Sequence, residues 1–151
     1  QRLRRIVEVG LATGKPLSSF HAATRPLLGP DDWRGVVIEP DRKALYARID
    51  QRFDRMLASG AVEEVAAIAA RGLEPNLPAM KALGVPHLIA SQKGEMTQAE
   101  AAEYAKRESR RYAKRQYTWF RNQCGDWPRI TDLDPVRACA EFDAILEGAS
   151  K

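Results

Sequence analysis

A long helical pattern, from residue 97 to about residue 122, constrains the fold of this chain more than any other feature. It begins at Thr97 and Glu100, which are spaced as in a capping box, where each side chain accepts a hydrogen bond from the other residue's backbone N–H. Residues 104–121 carry seven basic side chains and one acidic side chain, Glu108, whereas the rest of the chain carries 17 basic and 19 acidic ones. We call this segment the basic helix. Its concentrated charge predicts a polyanionic partner.

Projected at about 100° per residue, the basic helix has an aromatic face and a cationic face. The aromatic face carries Tyr112, Trp119 and Phe120, and the cationic face carries Lys106, Arg107, Arg110, Arg111, Lys114 and Arg121. One interpretation is a core helix with its charged face in solvent, and the other is a helix that binds phosphates. Like charges four residues apart repel each other, and Glu108 alone dilutes them, which favours phosphate binding.

Two residues of the basic helix depart from this division. Arg115 projects among the aromatic side chains, where a cation needs a buried partner or an anion. Tyr117 projects among the cations, so we expect its ring to be exposed. It is either an ordinary surface tyrosine or a ring on which an RNA base stacks.

The rest of the chain predicts shorter elements, without repeats or low-complexity segments. Helices are expected over residues 2–11, 42–59, 62–70, 78–92 and 135–146, with Asp41 as an N-cap and Gly60 as a C-terminal stop. Residues 18–32 are irregular, with room for one short helix. Residues 36–38 are predicted to be a buried strand of a parallel sheet whose other members are absent, and residues 127–131 a last strand.

The helix that follows Asp41 has an apolar stripe with an arginine pair beside it. The stripe consists of Leu45, Ile49, Phe53, Met56 and Leu57. Arg48 and Arg52 lie one turn apart at its edge. They either extend over the edge of the core toward Asp50 or Glu63 as counterions, or clamp a phosphate or diphosphate, which paired guanidinium groups suit.

Residues 81–86 (KALGVP) place Gly84 and Pro86 inside the helical pattern of residues 78–92. Proline removes a backbone donor, so the helix is expected to be interrupted there. The interruption is either a structural kink or a place where the backbone approaches a ligand closely.

Several functional classes are excluded by the residue types present. No apolar run approaches the roughly 18–20 residues that a membrane span needs. Cys124 and Cys139 lack metal-ligand spacing and indicate a reduced, cytosolic protein rather than a disulfide scaffold. His21 and His87 have no metal or triad partners near them in sequence, so each is expected to be a surface or capping histidine. The sequence contains no Gly-rich phosphate loop, HExxH or GxSxG motif.

Six segments in a fixed order resemble the tRNA dimethylallyltransferase family, up to about residue 130. They are QRLRR (1–5), TGKPLS (13–18), LYARIDQRFDRML (45–57), SGAVEEV (59–65), MKALG (80–84) and RRYAKRQYTWFR (110–121). The resemblance implies a fold that is mostly α with a few short strands. It implies part of a helical, tRNA-binding insertion domain over residues 1–34 and the C-terminal part of a P-loop NTPase-like α/β core over residues 35–131. Residues 132–151 carry no motif of the family and are expected to form a helical C-terminal tail.

The resemblance also implies the reaction. In this family the N6 amine of the adenosine adjacent to the anticodon, adenosine 37, displaces diphosphate from dimethylallyl diphosphate, and Mg²⁺ assists the leaving group. The implied partners are a tRNA anticodon arm and dimethylallyl diphosphate, with Mg²⁺ held by ligands outside this chain, in a cytoplasmic enzyme that is a monomer at full length. The family's phosphate-binding loop and catalytic Asp precede the segment that matches Gln1. No catalytic residue is therefore assigned, and we expect this polypeptide alone not to prenylate tRNA.

Three segments match tRNA contacts of the family, and two arginines match its diphosphate contacts. The tRNA contacts are Gln1, Arg2, Leu3, Arg4 and Arg5; Lys81, Ala82, Leu83, Gly84, Val85 and Pro86; and Lys114, Arg115, Gln116, Tyr117, Thr118, Trp119, Phe120 and Arg121. The diphosphate contacts are Arg48 and Arg52. In the second segment the family often has Gly-Tyr-Lys or Gly-Tyr-Arg, so at Val85 and Pro86 only the backbone contact carries over.

Two other functions are compatible with parts of the pattern. A non-catalytic helical RNA-binding module would need only the basic helix, and has no reason to keep the arginine pair or the KALG segment. A prenyltransferase acting on free adenylate would share the core, but three tRNA-contacting segments oppose it. The order of the motifs favours the tRNA-modifying enzyme.

Overall fold

The computed structural model describes residues 2–21, 26–29 and 32–148. Over those residues the chain is mostly helical, with seven α-helices and two strands of two residues each. It divides between Arg34 and Gly35 into two compact units. The structure therefore confirms a mostly α protein with short strands.

The first unit contains α1 (Arg2–Thr13) and the single-turn α2 (Ser18–His21). The α1 helix continues two residues beyond the predicted end, and Gly14, with a left-handed φ of 67°, follows it. None of the residues of α1 is buried.

The second unit begins with β1 (Val37–Ile38), followed by α3 (Arg42–Ala58) and α4 (Ala61–Ala70). The predicted N-cap is confirmed, because the Asp41 carboxylate accepts from the Ala44 N–H at 2.9 Å. Phe53 is buried, whereas Met56 is 46% exposed, so the prediction that Met56 belongs to the buried stripe was wrong. Gly60, at φ 99°, ends α3 and begins α4 in a conformation that favours glycine.

A 3₁₀ turn (Ala79–Lys81) precedes α5 (Val85–Gln92). The predicted interruption is confirmed at Gly84, whose φ is 97°. Pro86 does not interrupt a helix, however, because it lies in the first turn of α5, where no backbone donor is needed. A Cβ at position 84 would lie 2.9 Å from the Phe53 ring, so close packing explains this glycine.

The basic helix is the C-terminal part of α6 (Gln98–Gln123), and its capping box is present, with Thr97 N–H donating to Glu100 at 2.8 Å. The buried face of α6 consists of Ala101, Ala102, Ala105 and Ala113. Ala102 and Ala105 pack against Phe53 of α3, and Ala101 packs with Val65 of α4 and Leu88 of α5. These two clusters form the core between α3, α4, α5 and α6. Tyr112 and Trp119 are at least half exposed, so the interpretation of the aromatic face as the core face was wrong.

The two strands pair with each other. β2 (Arg129–Ile130) runs parallel to β1, with Val37 opposite Arg129 and Ile38 opposite Ile130. The parallel pairing was expected, but the partner of β1 lies within this chain rather than being absent. The last helix, α7 (Pro135–Gly148), packs on β2 and starts where the Asp134 carboxylate accepts from two backbone N–H groups.

Candidate functional site

Residues 114–121 occupy about two turns of α6, so they cannot all face one ligand. Three cavities surround this part of the helix. The strand-end pocket, about 480 Å³, is lined by Glu39, Pro40, Asp41, Arg42, Lys114, Tyr117, Thr118, Arg121, Arg129 and Thr131. The arginine-pair pocket, about 400 Å³, is lined by Leu45, Arg48, Ile49, Arg52, Leu83, Ser109, Tyr112, Ala113 and Gln116. The outer cleft, about 560 Å³, is lined by Arg111, Lys114, Arg115, Thr118, Trp119 and Asn122.

The cations of the basic helix do not share one environment. Lys106 binds Asp54 at 2.6 Å and Arg110 binds Asp50, and the Lys106 and Arg110 side chains are only 12% and 26% exposed. The hydrogen bond from Lys106 to Asp54 raises the lysine pKa, although partial burial opposes the shift. These two cations are therefore neutralised inside the protein rather than free for a partner.

The remaining cations are exposed. Arg107 lies over the ring of Tyr104, with its Cζ 4.4 Å from the ring centroid, and Arg115 lies over Tyr112 at 5.4 Å. Arg115 was expected to need a buried partner or an anion, and its guanidinium instead lies over a ring that is half exposed. In the described part of the chain, no carboxylate is within ion-pair distance of the other three: Arg111, Lys114 and Arg121.

Tyr117 differs from its prediction. Its hydroxyl donates to the Pro40 carbonyl at 2.6 Å, and its ring is half-buried in the wall of the strand-end pocket. Burial, followed by the charges of Glu39 and Asp41, raises the tyrosine pKa. Tyr117 thus anchors α6 to the end of β1, and the expectation that its ring is exposed was wrong.

The strand-end pocket lies where the two parallel strands end. Arg129 and Glu39 form an ion pair at 3.0 Å, and Arg129 Nη1 is buried with no hydrogen-bond partner among the described residues. Lys114 and Arg121 reach the same pocket from α6. Lys114 and Thr118 also line the outer cleft, so the two cavities meet along one ridge of the helix.

The arginine-pair pocket combines two cations with an apolar wall. Arg48 Nη1 donates to the Leu133 carbonyl at 2.7 Å. Arg52 forms no ion pair with Asp50 or Glu63, and Asp50 instead binds Arg110, so the predicted counterions do not serve this pair in the described structure. The wall consists of Leu45, Ile49, Leu83, Tyr112 and Ala113. A ligand with an anionic group and a short apolar chain matches this lining.

Leu83 brings the KALGVP segment to the arginine-pair pocket. Lys81, Ala82 and Leu83 are exposed in that segment, and Pro86 is also exposed, whereas Gly84 is buried and Val85 half-buried. The structure thus joins the second predicted contact segment to the arginine pair and to α6.

The first predicted contact segment belongs to the other compact unit. Arg2, Leu3, Arg4 and Arg5 are exposed on α1, and Gln1 lies outside the described residues. Glu8 accepts from Arg4 at 2.9 Å and lies 3.8 Å from Arg5. Arg2 is not in an ion pair with any described residue.

Sequence reasoning missed two groups of residues. Asp50 and Asp54, four residues apart on α3, face Arg110 and Lys106, four residues apart on α6, and that matched spacing was the available signal. His87 is not a surface histidine, because it is half-buried, lies 3.1 Å from Glu108 and stacks on Tyr104. Glu108, expected to dilute the cations, is therefore engaged by His87.

Two further observations concern the described residues alone. They contain no group of three or more His, Cys, Asp or Glu side chains placed to hold a metal ion. None of the helices in that part of the chain is long and apolar enough to cross a membrane.

A family model described as IPP transferase matches residues 1–123. A tRNA dimethylallyltransferase of Maricaulis maris is 61% identical over 147 residues, which cover 97% of this chain and 48% of that protein. One from a Bradyrhizobium species is 56% identical over 131 residues, covering 86% and 43% respectively. The chain thus spans about half the length of these curated relatives.

Two solved structures are also similar to this chain. The tRNA delta(2)-isopentenylpyrophosphate transferase of Staphylococcus epidermidis superposes with a TM-score of 0.67 at 30% identity, covering 99% of this chain and 48% of that one. The full-length tRNA isopentenylpyrophosphate transferase of Bacillus halodurans gives a TM-score of 0.68 at 28% identity, covering 95% and 51%.

Proposed function

This chain belongs to the IPP transferase family, and from that premise we propose that it acts in tRNA modification, as part of a dimethylallyltransferase. The proposed reaction joins the N6 nitrogen of the adenosine adjacent to the anticodon to the allylic carbon of dimethylallyl diphosphate. The bond from that carbon to the diphosphate oxygen breaks, diphosphate leaves, and N6 loses a proton. We propose that the full-length protein acts on tRNA in the cytoplasm, as a monomer.

One observation carries the assignment of roles to this chain: α6 separates two cationic regions of different character. On one side, the outer cleft and the strand-end pocket present Arg111, Lys114 and Arg121 without internal counterions, which suits RNA phosphates. On the other side, the arginine-pair pocket adds an apolar wall to Arg48 and Arg52, which suits a prenyl diphosphate.

We assign RNA contacts within residues 114–121 to the exposed side chains Lys114, Arg115, Thr118, Trp119 and Arg121. Trp119, 57% exposed beside Arg115, offers a ring and a guanidinium plane for base stacking. Gln116 faces the arginine-pair pocket instead, and Tyr117 and Phe120 support the helix. The exposed arginines of α1 and the KALGVP segment are proposed as further tRNA contacts.

The reaction also needs a base for the N6 proton, and the family uses Mg²⁺. We assign neither function to a residue of this chain, because no described cluster of side chains suits a metal and no P-loop sequence is present. We therefore propose that these 151 residues bind both substrates without transferring the prenyl group. Incubation with dimethylallyl diphosphate, Mg²⁺ and tRNA, followed by mass analysis of the nucleosides, tests this, and any prenylated adenosine contradicts it.

The RNA assignment is tested by the salt dependence of binding to a tRNA anticodon stem-loop. In Lys114→Ala, the slope of log K against log salt should become shallower by about 0.7, because one phosphate contact is lost. Lys93→Ala is the matched control, since Lys93 is exposed at the end of α5, away from all three cavities. Equal slopes for both variants and the parent protein would remove α6 from the RNA interface.

A non-catalytic RNA-binding module is the second candidate. It would use the outer cleft in the same way but would not bind a prenyl diphosphate. Calorimetric titration with dimethylallyl diphosphate separates the two candidates. Saturable binding by the parent protein that is lost in Arg52→Ala supports the enzyme. If the parent protein does not bind dimethylallyl diphosphate, the module is supported.

A further inference from the structure

The two cations of the arginine-pair pocket are held differently. Arg48 Nη1 donates to the carbonyl of Leu133, which lies 85 residues later in the chain. Arg52 lies one turn further along α3 and has no ion pair within the described residues. A guanidinium has five N–H donors, so Arg48 keeps donors for a ligand while one of its nitrogens is fixed by the protein.

The residues on both sides of Leu133 are in turn held by hydrogen bonds. Before it, the Glu141 carboxylate of α7 accepts from the Thr131 N–H at 2.7 Å. Next to it, the Asp132 carboxylate accepts from Arg137 Nε at 2.6 Å and from the Asp134 N–H at 2.8 Å. A network of hydrogen bonds within residues 131–141 therefore links the end of β2 to α7.

We propose that residues 131–141 are a positioning element for the anion site, acting through Arg48. By fixing the Leu133 carbonyl, Asp132 and Glu141 hold the Arg48 guanidinium at the rim of the arginine-pair pocket before a diphosphate arrives. A side chain that is already ordered loses less rotamer freedom on binding, which strengthens the complex. This gives a role to a segment that carries none of the sequence motifs, and it rests on the proposed diphosphate assignment.

A double-mutant cycle with inorganic pyrophosphate, measured by calorimetric titration of the 151-residue chain, tests the proposal. Glu141→Ala should weaken pyrophosphate binding by about threefold, in line with one released side chain. In an Arg48→Ala background the same substitution should have no further effect, because its route to the ligand is gone. In an Arg52→Ala background it should retain the threefold effect.

Glu141→Gln is the conservative control. Its amide oxygen still accepts from the Thr131 N–H, so affinity should stay close to that of the parent protein. Asp132→Asn supplies an independent perturbation, because it weakens the contact with Arg137 while keeping an acceptor for the Asp134 N–H. If thermal unfolding shows that Glu141→Ala does not fold, Asp132→Asn takes its place in the test of the positioning role.

The outcomes separate the inference from the function on which it rests. If the parent chain does not bind pyrophosphate, the diphosphate assignment fails and the positioning role fails with it. If the parent chain binds, but the threefold effect is missing or persists equally without Arg48, only the positioning role is overturned.

Discussion

The two halves of α6 carry similar numbers of basic side chains, three and four, but these cations are held differently. In the first half, residues 98–110, alanines pack into the core and the cations Lys106 and Arg110 bind carboxylates of α3. In the second half, residues 111–123, Arg111, Lys114 and Arg121 meet no described carboxylate, and Tyr112 and Trp119 are exposed. Density of positive charge alone thus does not define a binding surface, because the facing helix decides which cations remain available.

The largest expected effect is on stability. It compares Phe53, which packs against the first half of α6, with Trp119, which lies in the second half. Phe53→Ala removes the ring that packs against Ala102 and Ala105, and should lower the free energy of unfolding by about 3–5 kcal/mol. Trp119→Ala removes a ring that is 57% exposed, and should change it by no more than about 0.5 kcal/mol while weakening stem-loop binding. Urea unfolding measures both, and a large loss in Trp119→Ala would show that the second half is also a core element.

A second effect is expected when a cation of the first half of α6 loses its internal carboxylate and becomes available to a partner, like those of the second half. Asp50→Asn leaves Arg110 without its carboxylate, and should cost about 0.5–1 kcal/mol of stability, because the pair is only partly shielded from solvent. Stem-loop affinity at low salt should rise, since one more cation is available. Asp143→Asn is the matched control, because Asp143 is exposed on α7 and forms no ion pair with a described residue. Equal affinities for the two variants would mean that Arg110 cannot reach RNA even when released.

The smallest effect concerns the N-terminus of α6. Hydrogen bonds from the Thr97 backbone N–H and then from its hydroxyl lower the pKa of Glu100 below its ordinary value of 4.5. A lowered pKa in the folded state gives a stabilisation that is present above pH 4.5 and is lost as pH falls through the folded pKa. Unfolding measured between about pH 6 and pH 3 should therefore show a shallower pH dependence in Glu100→Gln, and an unchanged slope would remove this group from the acid response.

Local signals in the sequence were sufficient for most of the secondary structure. The Asp41 N-cap, the Thr97–Glu100 capping box and the Gly60 stop all lie where they were expected, because caps act through hydrogen bonds within four residues. Strands were expected at both Val37 and Arg129, but their pairing with each other was not, since a parallel pairing joins segments that are far apart along the chain.

The candidate site was only partly predictable. Family resemblance supplied Arg48 and Arg52, and the structure adds their apolar wall and the attachment of Arg48 to Leu133. Helical projection placed Tyr117 among exposed cations, although it bonds to Pro40. A projection assigns angles around one helix, and it contains no information about which neighbouring segment covers each angle.

The sequence by itself determined where the helices begin and end and how much positive charge α6 carries, because these properties depend on neighbouring residues. Only the tertiary structure decided which of those cations are free. Asp50 and Arg110 are 60 residues apart, and they meet because small alanine side chains let α3 lie close against α6. Packing of apolar surfaces sets that contact, and the available charge on the helix follows from it.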